Sequence, residues 1–393
     1  MEKFELFSVG RIVFGRGELA RVGQIAAQLG RAAMVIANAG EMGDGGPVDR
    51  LADLLAAENV RHAFYRQRGE PRIDGVEQAL QLARDAQCDL VIGLGGGSAI
   101  DTAKAVAGLL TNGGGPLDYM EVVGEGRKIT QPAAPWIAVP TTAGTGAEVT
   151  RNAVLASPQR RFKASIRSEL LLASVVVVDA ELGVPVRPEV TARAGMDALC
   201  QLIESYTSAR AQPITDALAL RGMALAARSL RRACADGGDV DAREDMALAA
   251  LLSGITLTNV GLGAVHGFAA PMGANFPIPH GTLCAALLPG VMSANVDALR
   301  AESAGHPTLA RYAQIGRALT AQPALADDDA IDAGVRFAAD LAGDLHIPRL
   351  GQFGLRRGDF GEMIALARKS SSMRYNPVAL SDEALTGILQ SAL

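Results

Sequence analysis

Residues 89–104 read DLVIGLGGGSAIDTAK. A short apolar run of strand character meets three consecutive glycines, Gly95–Gly97, and then a polar-to-apolar pattern of helical period opens at Ser98. This is a strand–turn–helix signature. Glycines let backbone amides approach a pyrophosphate closely, and a helix N-terminus favours the negative charge. The stretch is not GxGxxG, because Ser98 stands where the third glycine would fall after Gly93 and Gly95. It also lacks the GK[ST] ending of an ATP-binding P-loop. A tight turn that merely needs positive φ is the plain alternative; three glycines followed by Ser98 and Asp101 favour a nucleotide phosphate.

Outward from this point, strand and helix signals alternate. Apolar runs occur at RAAMVIA (31–37), WIAV (136–139) and SVVVVD (174–179), with helical patterns between them at 48–58 and 75–86. Continuous apolar strands separated by helices imply a parallel sheet covered on both faces, with right-handed crossovers. After Asp179 the strand signals stop. Pro185 and Pro188 punctuate the chain, and helical patterns follow at 189–208, 213–235, 241–259, 308–319, 330–341 and 360–367. The expected organisation is an α/β, Rossmann-like dinucleotide-binding domain over 1–184 and an all-helical domain over 185–393. Two domains suit 393 residues, which exceed a single hydrophobic core. Ligands of open α/β sheets lie beyond the carboxyl ends of the strands, so the cleft between the domains is the expected reaction site.

Composition removes several function classes. Hydrophobic residues make up 49% and charged residues 20%, which supports large cores rather than disorder. The net charge is −5 and no long Lys/Arg run occurs, which argues against nucleic acid or an anionic membrane as partner. The N-terminus lacks the basic start and apolar run of a signal peptide. Cys88, Cys200, Cys234 and Cys284 form no CxxC pair and read as reduced thiols of a cytoplasmic protein. Residues 246–265 carry no charge and have membrane-spanning length, but their Ser, Thr, Asn and Gly content reads as a buried helix.

Three further stretches carry chemistry. PTTAGTGAEVT (140–150) places four threonines and Glu148 after a strand and forms a second loop able to bind phosphate or ribose, or else an ordinary Ser/Thr-rich turn. In GMDALCQLIES (195–205), Asp197 and Gln201 share one helix face and both offer oxygen to a cation; Glu204 lies on that face too and Cys200 is one position away. AVHGFAAPMGANFPIPHGTLCAALLP (264–289) has no charged residue yet holds His266 and His280, two of five histidines in the chain. Neutral imidazole is the commonest protein metal ligand, and a hydrogen-bonded core histidine is the alternative.

In order and spacing, these four motifs resemble the iron-containing (group III) alcohol dehydrogenases over essentially the whole chain. The resemblance implies a dehydroquinate synthase-like, two-domain architecture, NAD(H) or NADP(H), a divalent metal such as Fe²⁺ or Zn²⁺, a small alcohol or aldehyde substrate, hydride transfer and a homodimer. It implies that Gly95, Gly96, Gly97 and Ser98 hold the pyrophosphate and that Asp101 lies near the nicotinamide. It implies further that Thr141, Thr142 and Thr145 form the second cofactor loop, with Lys163 near the ribose. Asp197, His266 and His280 match metal ligands of the family, and Asp101, His266 and His280 carry the catalytic expectation. Asn152 matches a position facing the substrate, with Arg151 beside it, and Arg374 is a weaker anchor of the same kind.

The chain departs from the family pattern at three places. Gln201 stands where a ligand histidine is usual, with only an amide oxygen to offer the metal. Ala270 stands where a second histidine often carries a proton. Asn38 replaces the aspartate that usually binds the adenosine ribose and repels a 2′-phosphate, so NADP(H) is expected to be tolerated beside NAD(H). These changes keep two other readings in view: a metal-independent NAD(P)H reductase of an unsaturated keto acid (maleylacetate reductase-like), and an inactive nucleotide-binding module.

Overall fold

The computed structural model describes residues 3–38, 40, 45–157 and 162–393. The chain divides into two compact units. One comprises Phe7–Thr142 and Gly146–Val186; the other comprises Arg187–Leu393, Ala143–Thr145 and the N-terminal residues up to Leu6.

The first unit is built on β1 (Ile12–Phe14), β2 (Ala32–Asn38), β3 (Arg61–Gln67), β4 (Leu90–Gly95), β5 (Trp136–Pro140) and β8 (Val175–Val178). These pair in the order β1-β8-β5-β4-β2-β3, and every pairing is parallel. The helices α1 (Val22–Leu29), α2 (Pro47–Ala57), α3 (Ile73–Asp85), α4 (Gly97–Asn112) and the short α5 (Pro116–Tyr119) connect them. Strands β4 and β8 are buried along their whole length, as their unbroken apolar sequences require in a sheet covered on both faces. From β2 the chain steps outward to β3, then returns over β2 to β4. The order therefore reverses between β2 and β4, and their carboxyl ends, Asn38 and Gly95, meet at the switch point.

Sequence reasoning missed three features of this unit. The edge strand β1 is apolar but only three residues long, and the edge strand β3 is mostly polar and largely unburied. Strands β6 (Asn152–Ser157) and β7 (Phe162–Arg167) form a separate antiparallel ribbon. Its polar and apolar residues are mixed, so no buried-strand signal marks it.

The second unit contains α6 (Pro188–Thr207), α7 (Pro213–Ala235), α8 (Val240–Val260), α9 (Ala264–Asn275), α10 (His280–Glu302), α11 (Pro307–Thr320), α12 (Asp327–Asp344), α13 (Phe360–Ala367) and α14 (Asp382–Ala392). Helices α6, α7 and α11 open on a proline, whose fixed φ and missing N–H suit the first helical position. The uncharged 264–289 stretch, which carries no amphipathic pattern, folds as α9 and the start of α10. Apolar residues lie around both helices rather than on one face, so no periodicity shows, and Pro271 and Pro289 disguise them further. Helices α8 and α9 bend by 97° across residues 261–263. Helix α10 has the length and apolar content of a membrane span, yet 61% of that window is buried inside the protein, against α6, α9, α12 and α14.

Candidate active site

At the switch point of the sheet, Gly95 has φ +148°, and a side chain there would meet Asn38 Oδ1 at 2.3 Å. The glycine is thus required by the backbone and by its neighbour together. The Gly96 amide donates to Asn38 Oδ1 at 2.7 Å, which ties the end of β2 to the turn. Gly96 is also the N-cap of α4 and, as glycine, brings no side chain to cap that helix. A Cβ on Gly97 would have Ala147 Cβ at 4.0 Å as its nearest neighbour, so internal packing does not demand glycine there. An open helix N-terminus fronted by small residues fits a pyrophosphate. The Thr141 amide donates to Gly95 O at 3.0 Å, and Thr142 Oγ1 would lie 3.1 Å from a Cβ on Gly96.

Behind this turn a buried lysine organises the second loop. Lys104 Nζ donates at 2.8 Å each to Ala147 O, Thr150 Oγ1 and Asn152 O, and pairs with Asp101 Oδ1 at 3.5 Å. Asp101 Oδ2 accepts from the Val154 amide at 3.2 Å. Burial raises the Asp101 carboxyl above its usual range, with Lys104 opposing, and the same burial lowers Lys104. Glu148 in the same loop is lifted by burial to about 7. Lys163 pairs with Glu70 at 2.7 Å, and the Arg151 guanidinium stacks 4.4 Å over Phe7. Asn152 opens β6.

The helical unit gathers a second cluster. Asp197 sits on α6, His266 in the first turn of α9, and His280 at the first position of α10. His266 Nε2 lies 3.2 Å from Asp197 Oδ1, and His280 Nε2 lies 3.6 Å from the same oxygen. Cys284, one turn along α10, places Sγ 3.6 Å from His266 Nε2 and 3.7 Å from His280 Nε2. One donor atom from each of these four residues falls within 4.8 Å of all the others. The helices approach closely enough because Gly281 has no side chain: a Cβ there would lie 2.2 Å from the Arg193 carbonyl oxygen on α6.

The surroundings orient the donors. Glu204 Oε2 meets His266 Nδ1 at 2.6 Å, while Oε1 accepts from the Val265 amide at 2.7 Å. Asn376 Oδ1 accepts from the Ala264 amide at 3.1 Å, so both partners close the N-terminus of α9. A carboxylate on Nδ1 holds the ring with Nε2 toward Asp197. Asp197 Oδ2 accepts from Thr145 Oγ1 at 2.9 Å and faces Gln201 Nε2 at 3.5 Å. The Gln201 oxygen accepts from Ser253 Oγ at 3.1 Å. Ala270, one turn after His266, is exposed.

Charges in the cluster are mutually supporting. Burial opposes ionisation of Asp197, but His280 and His266 outweigh it and hold the carboxyl below its usual range. Cys284 and Asp197 raise His280 to about 9 against burial. Burial pulls His266 down, yet Cys284, Glu204 and Asp197 together raise it. Two nitrogens, a carboxylate and a thiol converging from three helices are a donor set for a divalent cation, and the residues present fit one.

Sequence reasoning reached Asp197, Gln201, His266 and His280, and the structure brings them together. It noted Glu204 without its role and missed Cys284 as a neighbour of both imidazoles. The 280–284 spacing, one helical turn, was the available signal.

An open helix N-terminus at the switch point of a parallel sheet fits a nucleotide phosphate, and the Asp–His–His cluster of the helical unit fits a cation. Residues 10–180 match the family model "Iron-containing alcohol dehydrogenase", and residues 191–393 match "Fe-containing alcohol dehydrogenase family, C-terminal". The chain belongs to the iron-containing alcohol dehydrogenase family. It is similar to a choline dehydrogenase of Bacillus subtilis (strain 168), 32% identical over 99% of this chain and 95% of the relative. It is also similar to long-chain-alcohol dehydrogenase 1 of Geobacillus thermodenitrificans (strain NG80-2), 40% identical over 72% and 73% respectively. Its fold matches the crystal structure of a 1,3-propanediol oxidoreductase with TM-score 0.92 and 32% identity over the full length of both chains. The chain is an NAD-dependent oxidoreductase acting on CH–OH groups of a small alcohol or the matching aldehyde. Membership implies NAD(H) and a metal.

Proposed function

We infer that this protein interconverts a small primary alcohol and its aldehyde, with NAD(H) or NADP(H) at α4 and Fe²⁺ or Zn²⁺ at the Asp197 cluster. The observation that carries the reading is the convergence of Asp197 Oδ1, His266 Nε2 and His280 Nε2. When bound, the metal supplies Lewis-acid polarisation of a carbonyl oxygen and the nicotinamide supplies the hydride.

The chain's own residues do the positioning. Asp197, His266 and His280 hold the cation, and Gln201 and Thr145 steady Asp197 through its second oxygen. Glu204, bonded at His266 Nδ1, orients the ring so that Nε2 faces Asp197. The amides of Gly97 and Ser98 receive the pyrophosphate, with Gly95, Gly96, Thr141 and Thr142 shaping the turn. Asp101 and Lys104 hold the second loop from behind. Asn38, neutral at the end of β2, admits either nicotinamide cofactor. Ala270 cannot carry a proton, so the proton of the alcohol would need a route that does not use position 270.

Choline and 1,3-propanediol, named for two relatives, are primary alcohols, and a third relative is named for long-chain alcohols, which supports that substrate class without selecting a chain length. Arg151 and Asn152 are the candidate substrate contacts. The enzyme is proposed to act as a cytoplasmic homodimer; its four cysteines, all free thiols, suit a reducing compartment.

The test is a panel of primary alcohols and aldehydes run with both cofactors on the wild type and on the paired variant His266→Ala, His280→Ala. Turnover by the wild type and loss of both turnover and bound metal in the variant support the reading. Equal turnover and metal content in the two proteins would remove it.

A further inference from the structure

We propose that Cys284 is the fourth protein ligand of the metal and takes the coordination position that Gln201 leaves vacant. The inference rests on the reading that the Asp197 cluster binds a divalent cation, and it names a ligand beyond that reading's Asp–His–His set.

Distances argue for it first. A cation with bonds of about 2.0–2.1 Å to nitrogen and oxygen and about 2.3 Å to sulfur, at tetrahedral angles, separates S and N ligands by roughly 3.6 Å and N and O ligands by roughly 3.4 Å. The two S···N separations here are 3.6 and 3.7 Å, and the two N···O separations are 3.2 and 3.6 Å. Four of the six edges of a tetrahedral site thus already have its spacing, and the other two are within 4.8 Å.

Helix geometry argues for it second. His280 and Cys284 are four apart on α10 and so project from one face, one above the other. A second ligand one turn beyond His280 on α10 substitutes for the one that α6 would have supplied from position 201.

Gln201 is engaged elsewhere. Its oxygen, the atom that would bind a metal, accepts from Ser253, and its nitrogen faces Asp197 Oδ2, the oxygen turned away from the imidazoles. Gln201 is a positioning residue for Asp197. The competing group is Cys200 with Glu204 and His266, and the His266 nitrogen that faces Glu204 is Nδ1. That nitrogen is bonded to Glu204 at 2.6 Å, and the other Glu204 oxygen is taken by the Val265 amide. Both are committed to holding α9.

A thiolate in place of an imidazole softens the donor set, which favours Zn²⁺ or Co²⁺ over Fe²⁺ at this site relative to an all-nitrogen-and-oxygen set. Binding through sulfur deprotonates the thiol and releases one proton per metal.

The test is reconstitution of the full-length, metal-depleted protein with Co²⁺, read by electronic absorption and by titration of affinity. The wild type should show an intense near-ultraviolet sulfur-to-cobalt charge-transfer band. Cys284→Ser should lose the band and bind Co²⁺ more weakly, at or beyond the upper end of the roughly 10–100-fold range that outer-shell losses produce. Cys200→Ser should keep the band, and both variants should match the wild type in far-ultraviolet circular dichroism. If Co²⁺ binds in an Asp197- and His266-dependent way without the band, or if Cys200→Ser rather than Cys284→Ser abolishes it, Cys284 is not the ligand although the metal reading stands. Failure of the wild type to bind Co²⁺ at all would overturn both.

Discussion

Glu204 Oε2 and His266 Nδ1 are 2.6 Å apart, and the other Glu204 oxygen accepts the amide of the residue just before that histidine. One carboxylate therefore fixes the helix start and the ring orientation of a metal-facing imidazole. Glu204→Gln weakens this arrangement, because an amide offers one oxygen where the carboxylate offered two. Metal affinity should fall roughly 10–100-fold with the fold intact. Titration with Zn²⁺ against a competing chelator checks it, and unchanged affinity would separate Glu204 from the site.

Gly281 is where α10 passes α6. A methyl group there would sit 2.2 Å from a backbone oxygen that cannot rotate away. Gly281→Ala should destabilise the protein by about 1–3 kcal/mol, as overpacking does, and lower metal content by displacing His280. Thermal melts and metal analysis of the same preparation test both effects, and a melt equal to wild type would contradict the packing account.

The residues that identify the site were legible because each needs a particular chemistry at a particular spacing. Gly95–Gly97 announced an amide-lined turn, and His266 and His280 were conspicuous in an uncharged stretch. The alternation of apolar strands and helices announced a parallel sheet, since buried strands need no polar face. Strands β6 and β7 escaped notice because a two-stranded ribbon outside the main sheet is half exposed. Cys284 escaped because its meaning depends on α10 being helical from His280 onward, and a helix with apolar residues all round has no amphipathic signature. The direction of the Gln201 amide depends on Ser253, 52 residues away, a relation no local pattern encodes.

Glu148 predicts a pH effect. Its carboxyl is lifted by burial from 4.5 to about 7. The folded value lies above the unfolded one, so the contribution to stability is complete below about pH 4.5 and is lost as the pH rises through about 7. At 1.36 kcal/mol per unit the loss is on the order of 3 kcal/mol. Glu148→Gln has no such loss, so its stability should gain on wild type between pH 5 and pH 8. Denaturant midpoints at the two pH values measure this, and parallel curves would rule it out.

Asn38 Oδ1 accepts the Gly96 amide, a bond that an aspartate would keep. Asn38→Asp therefore adds a negative charge at the switch point with little rearrangement. Repulsion of the 2′-phosphate should lower kcat/KM for NADPH relative to NADH by at least about tenfold, equivalent to 1.4 kcal/mol. An unchanged cofactor ratio would show that the 2′-position lies away from Asn38.

The central claim, that a metal held by Asp197, His266 and His280 is needed for alcohol–aldehyde interconversion, is tested most directly by chelation and reloading. Turnover of a responsive primary alcohol with NAD⁺ is measured before chelation, after it, and after adding back Fe²⁺ or Zn²⁺. The account predicts loss of activity with the metal and recovery in proportion to the metal rebound. Full activity in a chelated protein shown to contain no metal would contradict it.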